Sequence, residues 1–169
     1  MVPDRALSRR VEAAFHDTFG YPPRGLYRAP GRVNLIGEHT DYNDGFVLPM
    51  AIDRAVWLAA APRADRQVRL VALSLDPDTH LAFSLDRLAP DPGAPWSNYV
   101  RGVLAILERH GHRLSGLDIV YDGDVPIGAG LSSSAAVEVA VATAADHLFD
   151  LALDDLALAR VAQAVSYTH

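Results

Sequence analysis

Apolar residues recur at helical spacing from the start of the chain. Leu7, Val11, Ala14, Phe15 and Phe19 fall near one face and predict a helix over 4–19, with Gly20 where a chain leaves a helix. Leu26–Ala29 and Val33–Gly37 read as strands, punctuated by Pro30-Gly31. Asp41–Gly45 is a turn cluster and Phe46–Ile52 another apolar strand. Residues 55–61 and 67–73 read as a strand pair about the polar turn Arg63–Arg66, Val68 and Leu70 alternating with Arg69. Residues 75–95, rich in Asp and Pro, read as loop with a short strand near Leu81–Phe83. Val100, Val103, Leu104 and Leu107 supply the stripe of a helix over 97–110, stopped by Gly111. Leu117–Tyr121 is a strand, 126–130 a glycine-rich loop, and Ser132–Phe149 an alanine-rich helix. Asp154 caps a last helix over 154–163. Strands first, then helix, strand, loop and helix, point to an α+β layer architecture.

Composition removes several chemistries. The 169 residues contain no cysteine, which excludes thiolate catalysis, disulfides and Cys-ligated metals. All 15 basic residues are Arg. Without Lys there is no Walker-type P-loop, no Schiff-base lysine and no protein-kinase strand lysine. A formal charge of −6 with scattered Arg argues against nucleic acid. No apolar run reaches the length of a membrane span and no targeting segment precedes the first helix, so the expected setting is cytoplasmic.

Two strings carry chemistry. In Pro126–Ala136 (PIGAGLSSSAA), Gly128 and Gly130 let the backbone approach a ligand and turn N–H groups inward. Ser132, Ser133 and Ser134 add hydroxyls, and the helix start adds partial positive charge. Together they can cradle an anion without lysine, and Ser134 can offer a hydroxyl to Mg²⁺. The same string can also be a plain loop with a serine N-cap.

The second string, Ala29–Gly45, sets Glu38, His39, Thr40 and Asp41 just past a strand end. Carboxylates accept paired hydrogen bonds from sugar hydroxyls, and His adds a donor or acceptor. Arg32 brings a permanent positive charge suited to a transferring phosphoryl group. A polar hairpin turn is the plainer reading.

Other residues are read more simply. His110 and His112 have no carboxylate at ligand spacing and read as partners of a helix C-terminus. Glu138 and Asp146 read as surface positions, although Glu138, one turn past Ser134, is a second candidate near Mg²⁺. Trp57 reads as core.

Gly31–Asp41 resembles the galactokinase signature, and Pro126–Ala136 resembles the ATP-loop motif of the GHMP kinases, named for galactokinase, homoserine kinase, mevalonate kinase and phosphomevalonate kinase. Trp96–Val103 is similar to the galactokinase segment between the two, which puts Trp96 and Asn98 near the nucleotide. The resemblance spans the chain to about residue 163. It implies a GHMP kinase N-terminal domain over 1–169, of the ribosomal protein S5 domain 2-like fold, with the C-terminal domain absent. It implies MgATP-dependent phosphorylation of α-D-galactose at the 1-hydroxyl, with ATP and Mg²⁺ as cofactors. Glu38, His39, Thr40 and Asp41 would bind the sugar, and Gly128, Ala129, Gly130, Leu131, Ser132, Ser133 and Ser134 the ATP. Ser134 would hold Mg²⁺, and Arg32 would stabilise the transition state. Galactose and ATP are the expected partners, with no nucleic acid, membrane or obligate protein.

Alternatives are a non-catalytic galactose and ATP sensor, or another GHMP small-molecule kinase such as N-acetylgalactosamine kinase. Members of the family continue into a Mg²⁺-binding Glu and a Gly-Ile-Met-Asp-Gln-like stretch with the catalytic Asp. Val165–His169 departs from that pattern and resembles translated adapter sequence, natural truncation being the alternative. Residues 1–169 alone are expected to show weak or no kinase activity.

Overall fold

A computed structural model describes residues 5–37, 45–75 and 79–166. Helix α1 (Arg5–Phe19) is followed by strands β1 (Gly25–Ile36), β2 (Leu48–Pro62), β3 (Gln67–Ala72) and β4 (His80–Ser84). Helix α2 (Asn98–Arg109), strand β5 (Leu117–Gly123) and helices α3 (Ser133–Phe149) and α4 (Asp155–Ser166) complete the order, so the α+β expectation holds.

The strands form one sheet in the order β1-β2-β5-β3-β4. Helix α1 seats Val11 and Phe15 on Ala59, Ala61, Val71 and Val120 of one face. Helices α2, α3 and α4 cover the other, where Leu58, Leu70, Ile119 and Tyr121 meet Leu104, Leu107, Val141 and Val161. Alternation along the strands sorts the faces, as with Ile119 and Tyr121 inward to the three helices and Val120 toward α1.

Several expectations are corrected. The predicted pairing of 55–61 with 67–73 does not occur. β2 pairs antiparallel with β5, and β3 pairs parallel with β5, so β5 inserts between them. The turn opens to admit it: Arg63 N donates to Gly116 O at 2.8 Å, and Gly116 N to Asp65 O at 2.6 Å. Gly116 has to lack a side chain, because a Cβ there would run into the Gln67 carbonyl. Pro30-Gly31 does not divide β1 either. The strand runs on with a register shift between Pro30 and Arg32, tolerable because β1 is an edge strand and Pro30 owes its outer side no N–H. Likewise 46–52 and 55–61 lie largely within the single strand β2.

The helix ends follow their signals. Gly20, at φ 82°, closes α1 with its N–H on His16 O at 2.8 Å. Asp154 Oδ1 caps α4 by accepting from Ala157 N at 2.7 Å, and that helix runs to Ser166 rather than 163. Trp57 is half-buried beneath α1.

Candidate functional site

The glycine-rich loop leaves the sheet at the end of β5. Asp124 fixes its root by accepting from Ala55 N at 2.8 Å and pairing with Arg54 at 3.2 Å. Residues 126–130 are exposed, and Gly128, Gly130 and Ser132 have φ of 75°, 71° and 60°. Positive φ at alternate positions is the backbone pattern that turns successive N–H groups toward one concavity, an anion nest. The space beside Gly128 is open.

Ser132 stands at the N-cap position of α3 but does not cap it with its side chain. It is left-handed and makes no side-chain cap bond; its carbonyl accepts from Ala136 N at 3.0 Å to start α3. A serine held there costs about 1 kcal/mol and is not serving as a plain cap. Ser132→Gly is therefore expected to raise stability by no more than about 0.5 kcal/mol, the relief of strain being largely offset by the added freedom of the unfolded chain, as read by urea denaturation.

The bulge in β1 docks on this loop. Arg32 N donates to Leu131 O at 3.0 Å. Gly31 is buried against the same carbonyl, Ile52 and Val125. The two sequence strings are thus joined through backbone, and Arg32 emerges at the seam with its side chain exposed.

Two cavities flank the start of α3. One, of about 340 Å³, is lined by Trp96, Tyr99, Tyr121, Ile127, Ser133 and Ser134 among others. The Trp96 and Tyr121 rings lie 6.5 Å apart at 50°. Burial pushes the Tyr121 phenol well above its ordinary value, with the nearby Tyr99 adding to the shift. The other cavity, of about 490 Å³, is lined by Arg32, Asn34, Ala135, Glu138, Gln163 and Ser166 among others.

Glu138 corrects its reading as a surface position. It is 0% exposed, and Ser166 Oγ donates to its Oε2 at 2.7 Å, tying α3 to the end of α4. Helix α3 is apolar almost all round, so no hydrophobic stripe marks which face Glu138 takes. Asp146 is half-buried and accepts from Leu153 N at 2.9 Å, shaping the turn into α4.

Asn98 sits at the start of α2. Its amide oxygen accepts from Asp91 N at 2.8 Å, which ties down the segment before α2. Arg101 assists there, donating to Ser97 Oγ at 3.1 Å, lying 4.0 Å over the Phe83 ring and pairing with Asp91 at 3.3 Å. Burial lowers its pKa against the pull of Asp91.

Glu38, His39, Thr40 and Asp41 lie outside the described residues. His112 lines a separate cavity with Arg66, Glu108 and Arg113. Among the described residues no group of three His, Asp or Glu is placed to hold a metal, and no helix is long and apolar enough to cross a membrane.

The chain is similar to known proteins in both sequence and fold. Residues 13–62 match the galactokinase galactose-binding signature. Residues 98–169 match the GHMP kinase N-terminal domain. The crystal structure of Lactococcus lactis galactokinase complexed with galactose superposes with a TM-score of 0.86 and 34% identity, over 95% of this chain and 42% of that one. The chain carries a GHMP kinase N-terminal domain.

This GHMP kinase domain thus spans less than half the length of that galactokinase. Two more distant structures share the fold. Methanococcus jannaschii mevalonate kinase is 21% identical, with a TM-score of 0.68 over 85% of this chain and 47% of its own. Streptococcus pneumoniae phosphomevalonate kinase is 21% identical, with a TM-score of 0.64 over 83% and 42%. Sequence reading missed Tyr121 and the Glu138–Ser166 contact. The spacing Leu117, Ile119, Tyr121 already puts that tyrosine on the core face, next to the loop.

Proposed function

We propose that this GHMP kinase domain binds MgATP and galactose and forms the nucleotide-loop half of a galactokinase site, transferring the γ-phosphoryl group to the sugar 1-hydroxyl. The observation that carries the reading is the left-handed alternation at Gly128, Gly130 and Ser132, set between two cavities and joined by backbone to Arg32. A triphosphate reaching from the aromatic cavity across the start of α3 meets exposed N–H groups and the positive end of the helix.

In this reading the aromatic cavity takes the base, and Gly128–Ser134 take the phosphates. Arg32 faces the transferring group and neutralises charge as it builds on the equatorial oxygens. Glu38, His39, Thr40 and Asp41, following directly on β1, take the sugar hydroxyls. Mg²⁺ bound with ATP would screen the β- and γ-oxygens. The Ser134 hydroxyl suits it, because Mg²⁺ needs few protein ligands when phosphates supply the rest, and buried Glu138 lies one turn further along α3. Phosphoryl transfer rests mainly on positioning and electrostatics, which these groups supply.

The test is the thermal midpoint of the 169-residue chain with each ligand. MgATP and galactose should each raise it, and Asp41→Asn should remove the galactose effect while leaving the MgATP effect. A rise with N-acetylgalactosamine or mevalonate but not galactose would move the assignment to another member of the family. A rise with galactose and ATP, without ADP release by a chain completed with a relative's C-terminal part, would make it a sensor.

A further inference from the structure

We infer that Arg10 and Arg54 act as charge-balancing residues for the nucleotide loop, each cancelling a carboxylate at the loop's root so that a polyphosphate can approach. This rests on the proposed nucleotide site and concerns what admits an anion to it. From Leu117 to Phe149, through β5, the loop and α3, the sequence contains no Arg, and the chain has no Lys. The same stretch carries Asp118, Asp122, Asp124, Glu138 and Asp146. Within it, attraction for phosphate comes from N–H groups and the helix start, partial charges that a nearby full negative charge offsets.

Asp122 and Asp124 directly precede the loop and are held alike. Asp122 Oδ1 accepts from Gly123 N at 2.9 Å, and Asp124 Oδ1 from Ala55 N at 2.8 Å. These bonds fix the end of β5, which is why carboxylates stand beside an anion site. The second oxygen of each meets an arginine from another element, Arg10 Nη1 of α1 at 2.9 Å and Arg54 Nη1 of β2 at 3.2 Å. Asp118, further back, is matched by Arg63 and Arg69. The Arg10 and Arg54 side chains are 60% and 57% exposed, so neither fills the core. An ion pair as open as Arg54–Asp124 adds little to folding. Its charges do reach the loop, since the four residues from Asp124 to Gly128 span at most about 14 Å, well within the screening length at low salt.

Calorimetric titration of the 169-residue chain with MgATP tests this, with uncharged galactose as the control ligand. At about 0.01 M ionic strength, Arg54→Gln should weaken MgATP about threefold and Arg54→Lys should not. Asp124→Asn, which keeps an oxygen for Ala55 N, should tighten MgATP by about the same factor. Both differences should vanish at about 1 M salt. Arg10→Gln should weaken MgATP as Arg54→Gln does, and Arg10→Gln combined with Asp122→Asn, which leaves no bare buried charge, should restore it. Galactose should bind every variant as it binds wild type. Unchanged MgATP affinity in Arg54→Gln and Asp124→Asn overturns the inference. So does weakening by Asp124→Asn, a loss that persists at high salt, or a double variant no tighter than Arg10→Gln, since each of these marks a purely structural role. Any of those outcomes with MgATP bound by wild type leaves the proposed function standing, whereas no MgATP binding by wild type overturns both.

Discussion

Asp118→Ala should cost about 3 kcal/mol of folding stability, measured by urea denaturation at pH 7. Its carboxylate is 0% exposed, under α1. Arg69 grips it with Nε at 2.6 Å and Nη2 at 2.5 Å, Arg63 Nη1 donates at 3.1 Å, and the Tyr21 hydroxyl donates to the same group. One side chain therefore ties the segment after α1, the β2–β3 turn and β5 together. Removing one partner of a buried ionic group costs about 3–5 kcal/mol. The lower end is expected because Arg63 and Arg69 still reach solvent once the carboxylate is gone.

The pH dependence has a definite sign. Burial pushes the Asp118 carboxyl up, but the hydrogen bonds from Arg69 and Tyr21 and the charges of Arg69 and Arg63 outweigh it and hold the group below its ordinary value. A depressed carboxylate contributes stability that is fully present above the unfolded pKa of about 3.9 and fades as pH falls through the folded value. The gap between wild type and Asp118→Ala should hold from pH 7 to about 5 and narrow only in stronger acid. A gap that narrows between pH 7 and 5 would contradict this account.

Gly31→Val should be nearly as damaging to the fold, and more so to the site. A Cβ at 31 would stand 2.9 Å from Leu131 O and 3.0 Å from both Ile52 Cδ1 and Val125 Cγ1. The carbonyl is backbone and already accepts from Arg32 N, so it cannot withdraw without freeing that bond. Overpacking of this kind costs about 1–3 kcal/mol. The strain falls on the seam between β1 and the glycine-rich loop, so MgATP affinity should drop at least about tenfold, a loss of about 1.4 kcal/mol. Titration calorimetry alongside urea denaturation separates the two effects. Unchanged ATP affinity would show that the seam does not shape the nucleotide loop.

Much of the fold is legible in the sequence where the signal is local. The stripe of α2, the caps at Gly20 and Asp154, the Val68–Leu70 alternation and the glycine-rich loop all state their structure within a few residues. Partner choice is not local. Nothing near Arg63–Arg66 reveals that β2 and β3 are parted by a strand some fifty residues on; the signs are the small residue at Gly116 and the Asp118 carboxylate, which accepts from Arg63 of the turn and Arg69 of β3. Pro30-Gly31 misleads for a related reason, since an edge strand with a bulge tolerates what an inner strand would not. Within the site, the cradle at 128–134 is readable because glycine and serine there have few other uses. Glu138 hides because an alanine-rich helix buried on most sides erases the contrast by which a face is recognised.

The insertion of β5 bears on how the polypeptide assembles. β1–β2 and β3–β4 are antiparallel neighbours in sequence and can zip early and separately. Neither hairpin can close onto the other until residues 117–123 arrive, because among the described strands β5 alone touches both β2 and β3. During synthesis the sheet therefore waits as two unjoined ribbons, with the facing edges of β2 and β3 open, until more than two thirds of these residues have emerged. That interval is when the nascent chain most needs protection from edge-to-edge association.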